Sequence, residues 1–154
     1  MKAAEYCKLD VVTVPKSSDI AEAAGLMRDE HVGFLVVLDE ADAVRRPVGV
    51  LTDRDIVVQV LARGVDRHKI TVADVMTRKP ITANEQDDLA EVIRGMRTAG
   101  VRRLPVVNAT GALTGVIALD DAIIAMTGML CDVSGSIRNE QRQEWNTRPR
   151  TSAQ

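Results

Sequence analysis

The chain contains one sequence pattern twice. Residues 20–38 read IAEAAGLMRDEHVGFLVVL and residues 89–107 read LAEVIRGMRTAGVRRLPVV, and an ungapped alignment gives seven identities. An internal repeat of this kind constrains the fold more than any single motif does, because each copy must build the same elements. A unit of roughly fifty residues is also too small to bury much core by itself, so the two copies are expected to pack on each other.

The match continues beyond these segments. Residues 49–51 (GVL) correspond to residues 115–117 (GVI), and Asp55 corresponds to Asp121. The offset between the two copies is three residues smaller there than in the first segments. The first copy therefore carries three extra residues in its polar loop at 39–46. The repeat therefore includes a strand and the start of a helix after the loop.

Each copy begins with an amphipathic helix. Its apolar residues recur at spacings of three and four, which is typical of a helix with one buried face. They are Ile20, Ala23, Ala24 and Met27 in the first copy and Leu89, Val92, Ile93 and Met96 in the second. Ser18 or Asp19 is expected to cap the first helix. Gly33 and Gly100 lie near the helix ends, where glycine can adopt a left-handed conformation.

Strands and a second helix complete each copy. Continuous apolar runs at 34–38 and 104–107 predict strands that are buried on both faces. Further elements follow the polar loops: strands at 48–51 and 114–118, and helices near 54–61 and 120–126. Each copy therefore reads as strand–helix–strand–strand–helix once a leading strand is included.

The leading strand and the join are less regular. A β-branched run at 11–14 stops at Pro15, which predicts an edge strand or a lead-in to a turn. Residues 64–80 form the expected join, where Val72, Val75 and Met76 could form a short helix. The predicted fold class is α/β, with two pseudo-symmetric β-α-β-β-α repeats packed through their sheets. The expected division is a first repeat at 1–64, the join and second repeat at 65–127, and a C-terminal segment at 128–154.

The C-terminal segment has a different pattern. Leu130, Val133, Ile137 and Trp145 lie at roughly helical spacing on an otherwise polar stretch. This spacing favours a helix that docks Trp145 on the domain or on a second subunit. Disorder is expected from Asn146 onward.

Composition narrows the classes of function. The net charge is −2 and only 2% of the residues are aromatic, so neither a basic surface nor stacking platforms favour nucleic-acid binding. The first ten residues contain no apolar signal region, and the apolar runs are too short to span a membrane. Cys7 and Cys131 lack a metal-binding spacing and are expected to be reduced thiols in a cytoplasmic protein.

The segment GVLTDRD at 49–55 is the first candidate site. It places Thr52 and Asp55 where a buried strand enters a helix, with Asp53 and Arg54 on the same turn. One interpretation is a helix cap, in which Thr52 accepts bonds from first-turn amides and Asp55 faces the positive end of the helix. The other is a ligand site, because free amides bind phosphate and a carboxylate can accept two ribose hydroxyl groups. The two interpretations are compatible.

The segment VRRLPVV at 101–107 is the second candidate. Arg102 and Arg103 lie at the entry to a buried strand and are expected to point to opposite sides, so only one could fully enter a given cleft. They are either two solvated charges or phosphate ligands, since arginine binds phosphate in a bidentate manner.

These segments, occurring twice in register, resemble tandem cystathionine-β-synthase (CBS) repeats of the stand-alone type. The resemblance rests on GVLTDRD and GVIALDD, on VRRLPVV, and on VADVMT in the join, and it covers about residues 11–126. It implies a pseudo-two-fold pair of repeats that usually assembles further into a disc-like dimer. It also implies that an adenine nucleotide or related adenosyl ligand, such as AMP, ADP, ATP or NAD, binds in clefts between the repeats.

Carried over by position, the resemblance implies two unequal clefts. The first would combine Thr52, Asp53, Arg54 and Asp55 with Ile81 and Val101 against the adenine and with Arg102 and Arg103 toward phosphate. The second would contain Val12, Gly33, Ala118 and Asp121. It keeps the ribose carboxylate, but Ala118 replaces the hydroxyl, and Gly33 and Phe34 replace the two arginines. One phosphate-binding cleft is therefore expected, and the other is empty or takes a less charged ligand.

Catalysis is not expected. The pairs Asp53/Asp55 and Asp120/Asp121 have no histidine or nucleophile beside them, and helix capping explains their positions. No cysteine or histidine cluster predicts a metal site. The leading hypothesis is a regulatory ligand sensor, expected to be a homodimer, that signals to an unidentified effector protein. The alternative is a dimeric protein-interaction module with vestigial clefts.

Overall fold

The computed structural model of the protein describes residues 1–147, which form two similar β-sheets. The first sheet has the order β1-β2-β3-β4, formed by Thr13–Pro15, Phe34–Leu38, Pro47–Thr52 and Thr77–Arg78. The second has the order β5-β6-β7, formed by Ala83–Asn84, Arg103–Val107 and Leu113–Ala118. In both sheets the leading strand runs parallel to the next one, which pairs antiparallel with the third. The predicted α/β fold with two pseudo-symmetric repeats is confirmed.

Within the described part of the chain, six α-helices accompany the sheets. They are α1 (Ala3–Tyr6), α2 (Ile20–Asp29), α3 (Asp53–Asp55), α4 (Val72–Val75), α5 (Leu89–Ala99) and α6 (Leu119–Thr147). A π-helical segment, Ile56–Leu61, directly continues α3. None of the helices in residues 1–147 is long and apolar enough to cross a membrane.

The core consists of two clusters at equivalent positions of the repeat. Ile20, Leu35 and Leu51 are fully buried in the first cluster, and Leu89, Leu104 and Ile117 are buried in the second. Leu35 lies opposite Leu51, and Leu104 lies opposite Ile117. The repeated apolar spacing therefore produces the same strand register in both halves.

The helix ends match the predictions from the sequence only in part. Asp19, rather than Ser18, caps α2, because its carboxylate accepts a hydrogen bond from the Glu22 amide at 2.6 Å. Gly100 ends α5 in the left-handed conformation, with φ of 68°. The same expectation for Gly33 was wrong, since His31 takes that conformation after α2, with φ of 54°. Gly33 instead provides space for a carboxylate, because a Cβ there would lie 2.6 Å from Asp53 Oδ2.

Each half binds the short helix that precedes the strands of the other half: α4 docks on the first half and α1 docks on the second. Val72 and Val75 of α4 join the first core cluster, whereas Ala3 of α1 is fully buried in the second. The docking is equivalent at both places: the Val72 amide donates to the Ser18 carbonyl at 2.8 Å, and the Ala3 amide donates to the Asp87 carbonyl at 2.9 Å. Residues after each helix then pair with the sheet edge, β4 with β3 and Lys8 with Val116. The N-terminal segment is therefore part of the second half.

Gly115→Ala is expected to loosen this N-terminal segment. A Cβ at position 115 would lie 2.7 Å from Cys7 Sγ and 2.9 Å from the Lys8 carbonyl oxygen, so the segment must shift. Overpacking of this kind costs about 1–3 kcal/mol of unfolding free energy. Chemical denaturation would measure the loss, and hydrogen exchange would detect it at residues 3–8.

Gly95→Ala is the matched control for this change. Gly95 lies within α5, and a Cβ added there would lie within 4 Å of no atom in residues 1–147 other than its own helix backbone. Alanine should stabilise the helix there by about 0.5–1 kcal/mol. Equal stability changes in the two variants would contradict the close packing at Gly115.

The last helix differs most from expectation. The sequence predicted a helix near 120–126 followed by a separate C-terminal segment from 128, but α6 runs without interruption to Thr147. Trp145 is 78% exposed, so it does not dock on its own domain. Asn146 and Thr147, where disorder was expected to begin, end the helix, and residues 148–154 lie outside the described residues.

Candidate functional site

A cleft of about 410 Å³ lies between the two halves. One wall is the turn from β3 into α3, and the facing wall is the segment that leads from α5 into β6. Seven of the eight residues predicted for the first cleft line it: Thr52, Asp53, Arg54, Asp55, Val101, Arg102 and Arg103. Residues that are distant in sequence thus meet because the two repeats face each other.

The turn into α3 is held by reciprocal hydrogen bonds. The Asp55 amide donates to Thr52 Oγ1 at 3.1 Å, while Asp55 Oδ2 accepts from the Thr52 amide at 2.9 Å and from Thr52 Oγ1 at 2.7 Å. The predicted capping interaction is therefore present. Asp55 Oδ1 accepts no hydrogen bond from any residue within 1–147, so one carboxylate oxygen remains available at the cleft.

The opposite wall supplies positive charge. Arg102 and Arg103 both line the cleft, and neither forms a salt bridge with another residue of the described chain. Arg54 adds a third guanidinium group, and three carboxylates, from Asp53, Asp55 and Asp120, line the same cleft. The cleft has no net formal charge, so it suits a molecule that carries both an anionic group and hydroxyl donors.

Ile81 lies elsewhere. Its side chain is 44% exposed and borders a separate, mostly apolar groove together with Thr98 and Leu104. Lys79, two residues earlier, is left-handed, with φ of 48°, and redirects the chain before Pro80. The apolar side chains that line the first cleft are Val101, as predicted, together with Phe34, Val50 and Ala118.

A second cleft, of about 250 Å³, lies beside the first. All four residues predicted for it line its wall: Val12, Gly33, Ala118 and Asp121. Lys8 also lines it, and Lys8 Nζ lies 3.4 Å from Asp121 Oδ1. Asp121 Oδ2 accepts a hydrogen bond from the Ala118 amide at 3.0 Å. Both oxygens of this carboxylate therefore have partners, in contrast to Asp55.

The N-terminal segment also sets the environment of Cys7 near this cleft. Burial raises the pKa of the Cys7 thiol, and the carboxylates of Glu85 and Asp121 act in the same direction. The thiol is therefore mainly protonated at neutral pH, and it packs against Gly115 as a small apolar group.

Comparison with known proteins identifies the repeat. The family model of the CBS domain matches residues 3–62 and again residues 72–128. The chain belongs to the CBS domain family. Each match begins at the short helix that docks on the other half, so α1 and α4 are part of the CBS repeats.

Relatives and solved structures resemble the chain over most of its length. The CBS domain-containing protein YhcV of Bacillus subtilis is 33% identical over 126 residues, which are 82% of this chain and 84% of YhcV. The CBS domain protein PAE2072 of Pyrobaculum aerophilum, solved with AMP, superposes with a TM-score of 0.72 at 28% identity over 79% of this chain and 89% of its own. The CBS domain pair of protein MJ0100, solved with 5′-methylthioadenosine and S-adenosyl-L-methionine, has a TM-score of 0.71 at 25% identity and covers 84% of this chain and 98% of its own.

The two clefts of this CBS pair share a wall. Gly33, Phe34, Arg103 and Ala118 border both of them. Arg102 borders only the first, so the two adjacent arginines have different positions relative to the clefts. The sequence predicted opposite directions for these side chains, but both line the first cleft.

Lys8 was not among the site residues predicted from the sequence. A signal for it was present, because residues 3–7 (AAEYC) align with residues 72–76 (VADVM) in the register of the first helices. That alignment places Lys8 at the position of Thr77, which lines the first cleft. The second cleft is therefore lined by two cationic groups, Lys8 and the shared Arg103, although Gly33 and Phe34 replace the arginine pair.

A larger cavity, of about 680 Å³, is a weaker candidate. All of its lining residues, which include Arg138, Arg142 and Trp145, belong to α6, so no second element encloses it. Within residues 1–147, no group of three or more histidine, cysteine or acidic residues is arranged to hold a metal ion. The clefts between the repeats remain the best-formed sites.

Proposed function

We propose that the protein is a regulatory module that binds an adenine nucleotide or a related adenosyl ligand in the first cleft between its CBS repeats. One observation carries this proposal: the Thr52–Asp55 turn of one repeat and the Arg102–Arg103 segment of the other line one cleft. A carboxylate with an available oxygen and two arginines that form no salt bridge within residues 1–147 match the two polar ends of a nucleotide. The complexes of PAE2072 with AMP and of MJ0100 with S-adenosyl-L-methionine support the same ligand class.

The proposed roles follow from the chemistry of each group. Asp55 Oδ1 accepts the ribose hydroxyls, and Thr52 holds Asp55 in position through its hydrogen bond at 2.7 Å. Arg102 and Arg103 bind phosphate oxygens, with Asp53 and Arg54 on the neighbouring turn. Val101 packs against the base. Ile81 would reach the base only if the chain after Lys79 moved, so Val50 and Phe34 are better placed as further apolar contacts.

The second cleft is proposed to bind a smaller or less charged ligand, or none. Its carboxylate, Asp121, already faces Lys8, so a ribose would have to displace this contact. AMP, ADP, ATP and NAD all share the adenosine unit that the first cleft is proposed to bind, and the arginines favour at least one phosphate.

Regulation requires that the ligand bind one arrangement of the two repeats more tightly than another, because tight binding alone shifts no equilibrium. In this proposal the ligand bridges the repeats, and an effector protein detects the resulting arrangement. The protein is proposed to act as a homodimer and to catalyse no reaction itself. The competing proposal, a protein-interaction module with vestigial clefts, predicts no nucleotide binding.

A thermal-shift panel tests the ligand class. AMP, ADP, ATP, NAD, adenosine and S-adenosyl-L-methionine would each be added to the full chain, with GMP as the matched control for base recognition. A ligand at a hundred times its dissociation constant adds about 2.7 kcal/mol of stability. For a chain of this size that raises the melting temperature by about 5–10 °C. A shift with an adenine ligand but not with GMP supports the sensor, whereas no shift across the panel supports the interaction module.

A further inference from the structure

The second half of α6 extends beyond its own domain. Ala122 and Ala125 are its last buried residues among those described, and every residue from Met126 to Asn146 is exposed except Gly135, which is half-buried. An unsupported helix of this composition is weak, because Gly128 and Gly135 lower helix propensity and most helix stability in proteins comes from packing. A partner surface is therefore needed to hold the extension in helical form.

The exposed face of α6 has the period of a coiled coil. Five large apolar residues follow each other at alternating spacings of three and four: Ile123, Met126, Leu130, Val133 and Ile137. Each of them is at least half exposed, from 51% at Met126 to 69% at Leu130. We call these five residues the α6 stripe. A 3.5-residue period keeps an apolar seam against another helix of the same period.

The charges beside the stripe favour a second copy of this chain as the partner. The positions that flank a coiled-coil seam are occupied by uncharged residues: Thr127, Met129, Ser134, Ser136, Gln141 and Gln143. Two copies of the helix would therefore meet without repulsion between like charges along the apolar layers. A partner selected by charge would instead require charged residues at these flanking positions.

The acidic residues that follow the stripe favour one orientation. Glu140 and Glu144 occupy the next two positions of the same seam. In a parallel pair each would face its own copy, which is unfavourable for like charges. In an antiparallel pair, Ile123 can lie in the layer of Val133 and Met126 in the layer of Leu130 of the second copy, and both glutamates then lie beyond the apolar layers. We infer that the α6 stripe pairs antiparallel with the α6 stripe of a second copy.

Sedimentation of the full chain tests this pairing. The wild type is expected to sediment as a dimer of the 16.7 kDa chain at micromolar concentration, and Leu130→Asp as a monomer, with at least a hundredfold weaker association. Cys131→Asp is the matched control, because it places the same charge in the same turn but off the stripe, and it should remain a dimer. A monomeric wild type, a dimeric Leu130→Asp variant, or dissociation of both variants would overturn the pairing.

Disulfide cross-linking tests the orientation. In a Cys131→Ser background, the variants Ile123→Cys and Val133→Cys are oxidised separately and as a mixture. Cross-linked dimers should form in the mixture only. Cross-linking of either variant alone, or in no sample, would overturn the antiparallel register. The pairing test is independent of the clefts, because Leu130 borders neither of them. The Leu130→Asp variant should therefore retain any nucleotide-induced thermal shift.

Discussion

Asp55→Ala is expected to abolish the thermal shift that an adenine nucleotide produces. The variant removes Oδ1, the carboxylate oxygen that accepts no hydrogen bond from the described chain and lines the first cleft. Hydrogen bonds to a charged group contribute about 1.5–3 kcal/mol each, so losing two ribose contacts should weaken binding roughly 100-fold or more. Isothermal titration calorimetry with AMP would measure this loss.

The variant also loses a helix cap, and this effect must be separated from binding. Asp55 accepts hydrogen bonds from the amide and hydroxyl of Thr52, and loss of such a cap costs about 1 kcal/mol. Asp74→Ala is a matched control, since Asp74 accepts the same two bonds from Thr71, at 2.8 and 2.9 Å, outside both clefts. It should lower stability by a similar amount and leave nucleotide affinity unchanged.

Asp121→Ala distinguishes the two clefts. Asp121 occupies the position of Asp55 in the second repeat but faces Lys8. If the nucleotide binds in the first cleft, this variant should retain most of its affinity. If Asp55→Ala retained the thermal shift and Asp121→Ala lost it, the ligand would belong to the second cleft and the proposed site would be wrong.

Arg102→Ala is expected to separate phosphate recognition from adenosine recognition. Arg102 borders the first cleft and has no salt bridge within residues 1–147, so its removal should weaken AMP binding by about 10–100-fold. Adenosine affinity should change by less than about twofold, because the charge-assisted contact requires a phosphate. Calorimetric titration with AMP and with adenosine would measure both quantities.

Arg97→Ala controls for the general loss of a positive charge. Arg97 lies in the last turn of α5 and borders neither cleft, so it should leave both affinities unchanged. Equal losses of AMP and adenosine affinity in Arg102→Ala would mean that the phosphate lies elsewhere. Arg103→Ala should affect ligand binding in both clefts, since Arg103 borders both of them.

Most local structure followed from the repeated pattern. The apolar spacing of Ile20, Ala23 and Met27 predicted a helix with one buried face, and these three residues are buried. The sequence limited the candidates for the N-cap of α2 to Ser18 and Asp19, and Asp19 is the residue that accepts the amide hydrogen bond. The prediction for Gly33 was wrong, because glycine is required there by the close contact with Asp53 and not by the end of α2.

The candidate site, like the local structure, could be predicted only in part from the sequence. The Thr52–Asp55 turn and the Arg102–Arg103 segment could be singled out by residue type and by their positions at strand ends. Ile81 could not be placed, because the left-handed turn at Lys79 is not evident from a lysine. Lys8 was missed because it reaches the second cleft only after α1 docks on the opposite half.

The sequence by itself determined the duplication, the main helices and strands of each repeat and the faces that they bury. Those features depend on the period of apolar residues, which decides the buried face of each helix and strand locally. Only the tertiary structure decided that the halves exchange their short helices α1 and α4 and that one arginine borders both clefts. These features depend on contacts between segments that are far apart in the chain, and such contacts leave no periodic pattern in the sequence.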